Sequence, residues 1–359
     1  MNWFHQLKRY LFSNEKHQEY DGEKGLIELD GLFQHLADEM RIPGMAVSIR
    51  KNGQTFHEKG YGLEDLETQR LVNPKSTVFR IASISKCITG LALGKAVEEG
   101  LLDWDTSFYD FVSDYPRKSH DFTIRQLASH TAGIRGYRGK EFALNKPLSI
   151  RDSIEVFKNE PLVFEPGKGY LYNSFDFVLL SLAIQEASDM SFVDYVKLKV
   201  LDPLGMNSTF TPEEVKLSSF DSTNLSISNF YSRRGRSFKT AVEVNNQYKL
   251  GGGGYLSTSS DITKMGQAIL DRKLLHPSTY EELLKAQHVN GKSVYYGLGF
   301  QVSQDLGGRH YVGHVGNSVG AYSNFFVYPK EKVVISVLIN CTDPRIQDDL
   351  DKTHLNIFT

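Results

Sequence analysis

Between residues 295 and 340 the chain reads as four extended runs in close succession, about 295–303, 309–314, 321–328 and 333–340, with Pro329-Lys330-Glu331-Lys332 turning the last two. Parallel neighbours need a crossover of a dozen or more residues, whereas these gaps are turns, so the runs predict an antiparallel sheet. A second signal stands near the start, where a run at about 45–50 meets Asn52-Gly53 and then a run through Tyr61. Asn-Gly between two such runs predicts a hairpin. Apolar residues at helical spacing predict helices over about 26–39, 84–99, 150–158, 175–187 and 261–271. The fold class that follows is α+β: a sandwich-like antiparallel sheet flanked by helices, shared by the N-terminal and C-terminal strands. A sheet lobe of about 25–100 and 247–359 carries an inserted helical lobe of about 101–246, behind an N-terminal extension of 1–24. Gly251 to Gly254 read as a flexible tight turn that returns the chain to the sheet lobe.

With 359 residues, 40% of them hydrophobic, the chain can bury a large core. A net charge of −2 gives no electrostatic reason to expect nucleic acid or an anionic membrane as partner. Arg233, Arg234 and Arg236 read as a solvated loop. Cys87 and Cys341 stand far apart in sequence, so no disulfide framework is expected. His5, Lys8 and Arg9 interrupt what would have to be the apolar core of a signal peptide, and a cytoplasmic location is the expectation. Trp3, Leu7, Tyr10 and Leu11 line one face of a short helix expected to dock on its own domain. No stretch approaches the ~20 apolar residues of a membrane span.

The chemistry concentrates at Ile81-Ala82-Ser83-Ile84-Ser85-Lys86, where an extended segment breaks into the helix predicted over 84–99. Residues three apart on a helix are neighbours, about 5–6 Å between Cβ atoms, which brings the Lys86 amine to the Ser83 hydroxyl. Lysine can serve as a base only if its pKa falls, and burial near the positive end of a helix does that. The same helix start favours a developing oxyanion. Ser83 also fits an ordinary helix cap, so context must decide. Ser13-Asn14-Glu15-Lys16 lies in a polar stretch, and Ser48-Ile49-Arg50-Lys51 lies in a predicted strand, where residues three apart point to opposite faces. The helix after Ser83 instead carries Gly90 and Gly94, which predict close packing against it.

The order of further features resembles the serine β-lactamase and penicillin-binding protein family, on the branch of class C β-lactamases, D,D-peptidases and related esterases. The resemblance runs from about Leu36 to Asn340. Ile42-Pro43-Gly44-Met45, the Ser83 to Lys86 motif, Thr123 to Ile134 and Glu165-Pro166-Gly167 carry it. It implies a proton-moving tyrosine, and after Pro166-Gly167 comes Tyr170-Leu171-Tyr172-Asn173-Ser174; alignment on Pro-Gly selects Tyr172. Ser174 then stands where relatives carry an asparagine that reaches the substrate amide. Tyr322-Ser323-Asn324 matches the same motif by letters but lies in a late strand. The resemblance further implies that His314-Val315-Gly316, at a predicted strand end, is the strand motif of the site. There His314 would help hold a substrate carboxylate or the proton relay, and Gly316 would let the substrate approach. The backbone N–H groups of Ser83 and Asn317 would form the oxyanion hole. His130 belongs to a family motif read as a structural brace.

Gly316-Asn317-Ser318-Val319-Gly320 also spells the Gly-x-Ser-x-Gly elbow of α/β-hydrolases, but a strand rather than a helix is predicted to follow. No His-Glu-x-x-His or cysteine-histidine cluster suggests a metal, and no cofactor is expected. The expectation is a serine hydrolase acting on an ester or amide bond, peptide or β-lactam-like, of a small-molecule or peptide acyl substrate, through an acyl-enzyme on Ser83. Acyl transfer of the D,D-peptidase type and a non-catalytic scaffold on the same fold are the alternatives.

Overall fold

The computed structural model describes residues 22–217 and 224–358. Its centre is a seven-stranded sheet. The strands, in chain order, are β1 (Gly44–Lys51), β2 (Gln54–Asp65), β3 (Arg70–Leu71), β4 (Gln301–Gln304), β5 (His310–Ser318), β6 (Ala321–Tyr328) and β7 (Val333–Ile339). In space they run β4-β5-β6-β7-β1-β2-β3, with every neighbouring pair antiparallel. The first and last long strands therefore meet at the middle, in register from Met45 opposite Ile339 to Lys51 opposite Val333. Asn52 (φ 53°) and Gly53 (φ 78°) make the two-residue turn between β1 and β2, both in the left-handed region that such a turn needs.

Alternation assigns the faces. On β1, Met45, Val47 and Ile49 pack with Leu29, Phe33 and Leu36 of helix α1 (Gly22–Asp38) and with Leu350 of α5 (Gln347–Asn356). Ala46 faces the larger core on the other side, and the Ser48 hydroxyl meets that of Ser259 at 2.8 Å. That core also holds α2 (Ser85–Glu98), α3 (Phe175–Ser188) and α4 (Ser259–Asp271). Strands β6 and β7 are buried along their whole length, as expected of a sheet covered on both faces. The result is an α+β fold of the kind read from the sequence.

Several elements differ from the sequence expectation, each for a local reason. The run expected at 295–303 is a strand only over Gln301–Gln304, because Gly299 (φ 95°) bends the chain against α2; a Cβ there would lie 2.7 Å from the Lys86 carbonyl oxygen. The strand expected to end at 314 continues to Ser318, and Gly320 (φ 71°) makes the turn into β6. The helix expected over 150–158 breaks after Ile150–Ser153 into a single tighter turn. Gly251 to Gly254 are not a flexible turn but a buried, irregular helical turn wedged between helices: a Cβ on Gly251 would meet the Ser181 hydroxyl at 2.2 Å, and one on Gly252 the Ser174 carbonyl at 2.8 Å. The arginine cluster sits on a hairpin, Tyr231–Arg234 with Ser237–Thr240, that pairs with Cys341–Thr342 rather than forming a loop. The expected terminal helix of Trp3, Leu7, Tyr10 and Leu11, and the decoy Ser13, lie outside the described residues.

Gly90 packs as its place in the sequence predicts: a Cβ there would sit 2.7 Å from the Leu298 carbonyl oxygen and 3.1 Å from the Phe300 ring. Ala normally stabilises a helix interior over Gly by about 1 kcal/mol. Here the neighbour is backbone and cannot rotate away, so Gly90→Ala is expected to destabilise the protein by about 1–3 kcal/mol, seen as a lower urea midpoint; a raised midpoint contradicts the packing.

Candidate active site

Ser83 does not lie in the first turn of α2 but one step earlier, in a 3₁₀ turn over Ala82–Ile84. The residue before it, Ala82, takes φ 48°, a left-handed conformation costly for any residue with a Cβ. Four hydrogen bonds hold the turn open to the cleft. Ile81 N–H donates to the Tyr255 carbonyl (3.1 Å), Ser85 Oγ to the Ala82 carbonyl (2.7 Å), Tyr255 N–H to Ser85 Oγ (3.2 Å) and Ser323 Oγ to the Ile81 carbonyl (2.9 Å). The nucleophile candidate is thus clamped between the chain after Gly254 and strand β6.

Lys86 follows in the first turn of α2 and is fully buried. Its Nζ lies 3.3 Å from Ser83 Oγ and donates to the Gly252 carbonyl at 2.6 Å. Burial, and then the positive charge of Lys249, push the Lys86 pKa down to about 7. Near neutrality much of it is the free amine, with one N–H on Gly252 and its lone pair available to the serine. Tyr172 completes the contact from the segment just before α3, its hydroxyl donating to Ser83 Oγ at 2.7 Å. Although Tyr172 is 37% exposed, burial around its hydroxyl raises its pKa, so the phenol keeps its proton. The Lys86 ammonium position also lies 4.7 Å from the Tyr172 ring centre.

The strand motif forms the opposite wall. A Cβ built on Gly316 would come within 2.9 Å of Ser83 N, so only glycine lets β5 lie this close to the turn. Val315 N–H donates to Gln301 Oε1 (3.1 Å), away from β6. Backbone N–H groups alternate along a strand, so Asn317 N–H points to the same edge, beyond the stretch that pairs with β4. His314 corrects the expectation made for it. It is fully buried, its Nδ1 bonded to the Val315 carbonyl (2.7 Å) and its Nε2 to the Tyr296 hydroxyl (3.0 Å). Burial and the Lys86 charge lower its pKa to about 3. A neutral buried imidazole holds no substrate carboxylate. His314 instead packs beneath Tyr172, ring centres 5.7 Å apart, with no hydrogen bond to Ser83 or Lys86.

Ser174 begins α3, half exposed, and its hydroxyl faces that of Tyr137. Asn173 does not replace the missing asparagine: it is buried and its amide donates to the Ile134 and Leu171 carbonyls and to Asp176. His130 (φ 62°) bonds Asp176 at 2.8 Å and packs on Tyr172, ring centres 4.6 Å apart, consistent with a brace. Burial pushes His130 down and Asp176 up, so both favour their neutral forms. The decoys are placed elsewhere. Ser48 is engaged with Ser259 and Glu58, Tyr322 donates to Gln347 on the far side of the sheet, and strand rather than helix follows Ser318. Sequence reasoning missed Tyr296, Asp176 and Lys249. The first two carry no motif of their own, and Lys249 stands only three residues before Gly252. Among the described residues there is no group of three or more acidic, histidine or cysteine side chains placed to hold a metal. None of the helices described is long and apolar enough to cross a membrane.

The sequence profile of the family described as Beta-lactamase matches residues 29–356. The chain belongs to this family. It is similar to the human mitochondrial serine beta-lactamase-like protein LACTB, 28% identical over 84% of this chain and 71% of that protein. It is 26% identical to penicillin-binding protein 4* of Bacillus subtilis, over 83% of this chain and 68% of that one. Among solved structures, an octameric penicillin-binding protein homologue from Pyrococcus abyssi superposes with a TM-score of 0.77 at 26% identity, covering 89% of this chain and 74% of that one. EstCE1, a hydrolase with promiscuous acyltransferase activity, shares the fold with a TM-score of 0.79 at 17% identity, covering 94% and 99%.

The Lys86 pKa near 7 sets a pH dependence. Below it the ammonium has no lone pair and cannot take the serine proton. Labelling of Ser83 by a fluorophosphonate is expected to slow about tenfold per pH unit below 7 and to level off above it, measured as a rate profile. A flat profile from pH 5 to 8 removes Lys86 as the activating group.

Proposed function

We propose that the protein is a metal-independent serine hydrolase that cleaves esters or amides through an acyl-enzyme on Ser83. The observation that carries this reading is the convergence of the Tyr172 hydroxyl and the Lys86 amine on one oxygen, Ser83 Oγ, at 2.7 and 3.3 Å. Lys86 accepts the serine proton as Oγ attacks the acyl carbon, and the carbonyl oxygen becomes an oxyanion. Ser83 N–H and Asn317 N–H stabilise it, each donor of this kind contributing about 3–4 kcal/mol in related chemistry. Collapse expels the leaving group, which takes its proton from Tyr172 while Lys86 reprotonates the phenol. Water then attacks the acyl-enzyme with the proton path reversed, releasing the acid and restoring Ser83. His314 and Tyr296 position Tyr172 from below. Amidase relatives in fold, such as the D-amino acid amidase of Ochrobactrum anthropi, fit an amide-cleaving variant of the same scheme.

Ser83→Ala is expected to abolish both p-nitrophenyl ester hydrolysis and fluorophosphonate labelling, while Ser48→Ala leaves both nearly intact. Labelling that persists in Ser83→Ala moves the nucleophile elsewhere. Lys86→Arg is expected to be nearly as inactive as Lys86→Ala, because a guanidinium stays protonated. More than about a tenth of wild-type turnover in the arginine variant, a barrier change under about 1.4 kcal/mol, overturns the base assignment.

Ser174 directs substrate choice. Its single hydroxyl is shorter than the asparagine amide that relatives place there, and a buried substrate amide left unpaired typically costs about 1–3 kcal/mol. Small activated esters strand no such group. They are expected to turn over readily and penicillins poorly, with Ser174→Asn raising kcat/KM for the penicillin alone; equal changes for both substrates would remove Ser174 from the specificity argument.

A further inference from the structure

Three basic side chains near the Ser83 turn have no ion-pair partner among the described residues: Arg80, Lys86 and Lys249. Arg80 donates to the Val319 carbonyl and covers the Phe230 ring. Lys86 has its proton-transfer role. Lys249 has none, yet it is 5% exposed, a burial that lysine seldom accepts unpaired. Its Nζ makes one hydrogen bond, to the Phe142 carbonyl (2.8 Å), and lies 5.3 Å from the ring centres of Tyr137 and Tyr248. The acid nearest along this wall, Glu141, is already taken by Arg135 and by Arg138 N–H. Asp176, the acid nearest Lys86, is bonded to His130 and Asn173 and favours its neutral form.

Lys249 is also close enough to act on the Lys86 charge. Tyr137, whose ring it overlies, turns a buried hydroxyl toward Ser174 and Tyr248 without a well-formed hydrogen bond to either. Ser174 in turn packs on Gly252, the residue that holds Lys86. Ser174, Tyr137 and Lys249 thus form one contiguous row beside Gly252. We propose that this wall is an anion subsite, and that the acyl part of the natural substrate carries a carboxylate or a similar anion received by Lys249. Burial, and then the Arg80 charge, lower the Lys249 pKa to about 7, and an anion beside it favours the protonated amine and is attracted to it far more strongly than in water, because little solvent screens the pair. The substrate would supply the counter-charge that the chain lacks, and binding it would hold Lys249 in its charged form.

The inference rests on the serine-hydrolase reading for kinetics but not for binding, and the two arms are measured separately. The kinetic arm compares mono-4-nitrophenyl adipate with 4-nitrophenyl hexanoate, equal in acyl length and differing in the terminal carboxylate. The unaltered chain is expected to favour the adipate ester at least tenfold in kcat/KM after subtraction of spontaneous hydrolysis, and Lys249→Met to bring the ratio to about one. The binding arm uses calorimetry of adipate and hexanoate on Ser83→Ala, where adipate is expected to bind at least tenfold tighter and Lys249→Met to erase the difference. If neither ester is turned over but adipate binds in this Lys249-dependent way, the hydrolase reading falls and the subsite stands. A ratio near one in the unaltered chain, with adipate binding no tighter than hexanoate, overturns the subsite without need of any variant.

Discussion

The desolvation of a single ammonium group governs this site. Lys86 is sealed beneath Ser83, and lowering its pKa from the ordinary lysine range to about 7 corresponds to on the order of 5 kcal/mol against the charged form. That penalty must be met by the rest of the fold. Helix α2 is buried on almost all sides, Gly90 and Gly94 admit their neighbours at backbone distance, and Gly252 offers the amine one carbonyl and no carboxylate. A carboxylate there would restore the charge and remove the free amine. The neutral His130 and Asp176 pair below keeps the same balance, since a full negative charge on Asp176 would draw Lys86 back toward its cation.

The antiparallel C-terminal strands and the first hairpin were legible because their signals are local; the pairing of β1 with β7 that sets the strand order is not local. Asn52-Gly53 announces its own turn, and the alternation of Met45, Val47 and Ile49 against Ala46 and Ser48 assigns both faces before any tertiary information. The Ser83 and Lys86 pair was legible for the same reason, being three residues apart in one turn. Tyr172 was reachable only by alignment on Pro166-Gly167, and its distance to Ser83 depends on how α3 docks.

What was not legible depends on contacts between distant segments. His314 read as a polar group at a strand end, yet β5 runs four residues further, and the pairing of Ser318 with Ala321 carries the imidazole into the interior. Gly251 to Gly254 read as slack chain because four glycines in a row usually are. Here Gly251, Gly252 and Gly254 are small because Ser181, Ser174 and Asn246 press on them in turn. Lys249 gave no signal at all, since nothing in Tyr248-Lys249-Leu250 distinguishes a buried lysine from a solvated one.

The close approach of Gly316 to Ser83 has a consequence for how the protein is made. More than two hundred residues separate the two in the chain, and ribosomes add roughly 5–20 residues per second. For something over ten seconds the serine has emerged while the strand that flanks it has not, and β1 likewise waits for β7. A chain that has emerged only as far as α2 therefore has neither the Gly316 strand beside Ser83 nor the Gly252 carbonyl on Lys86. Until β5 emerges, the Ser83 hydroxyl lacks the glycine strand that packs against it.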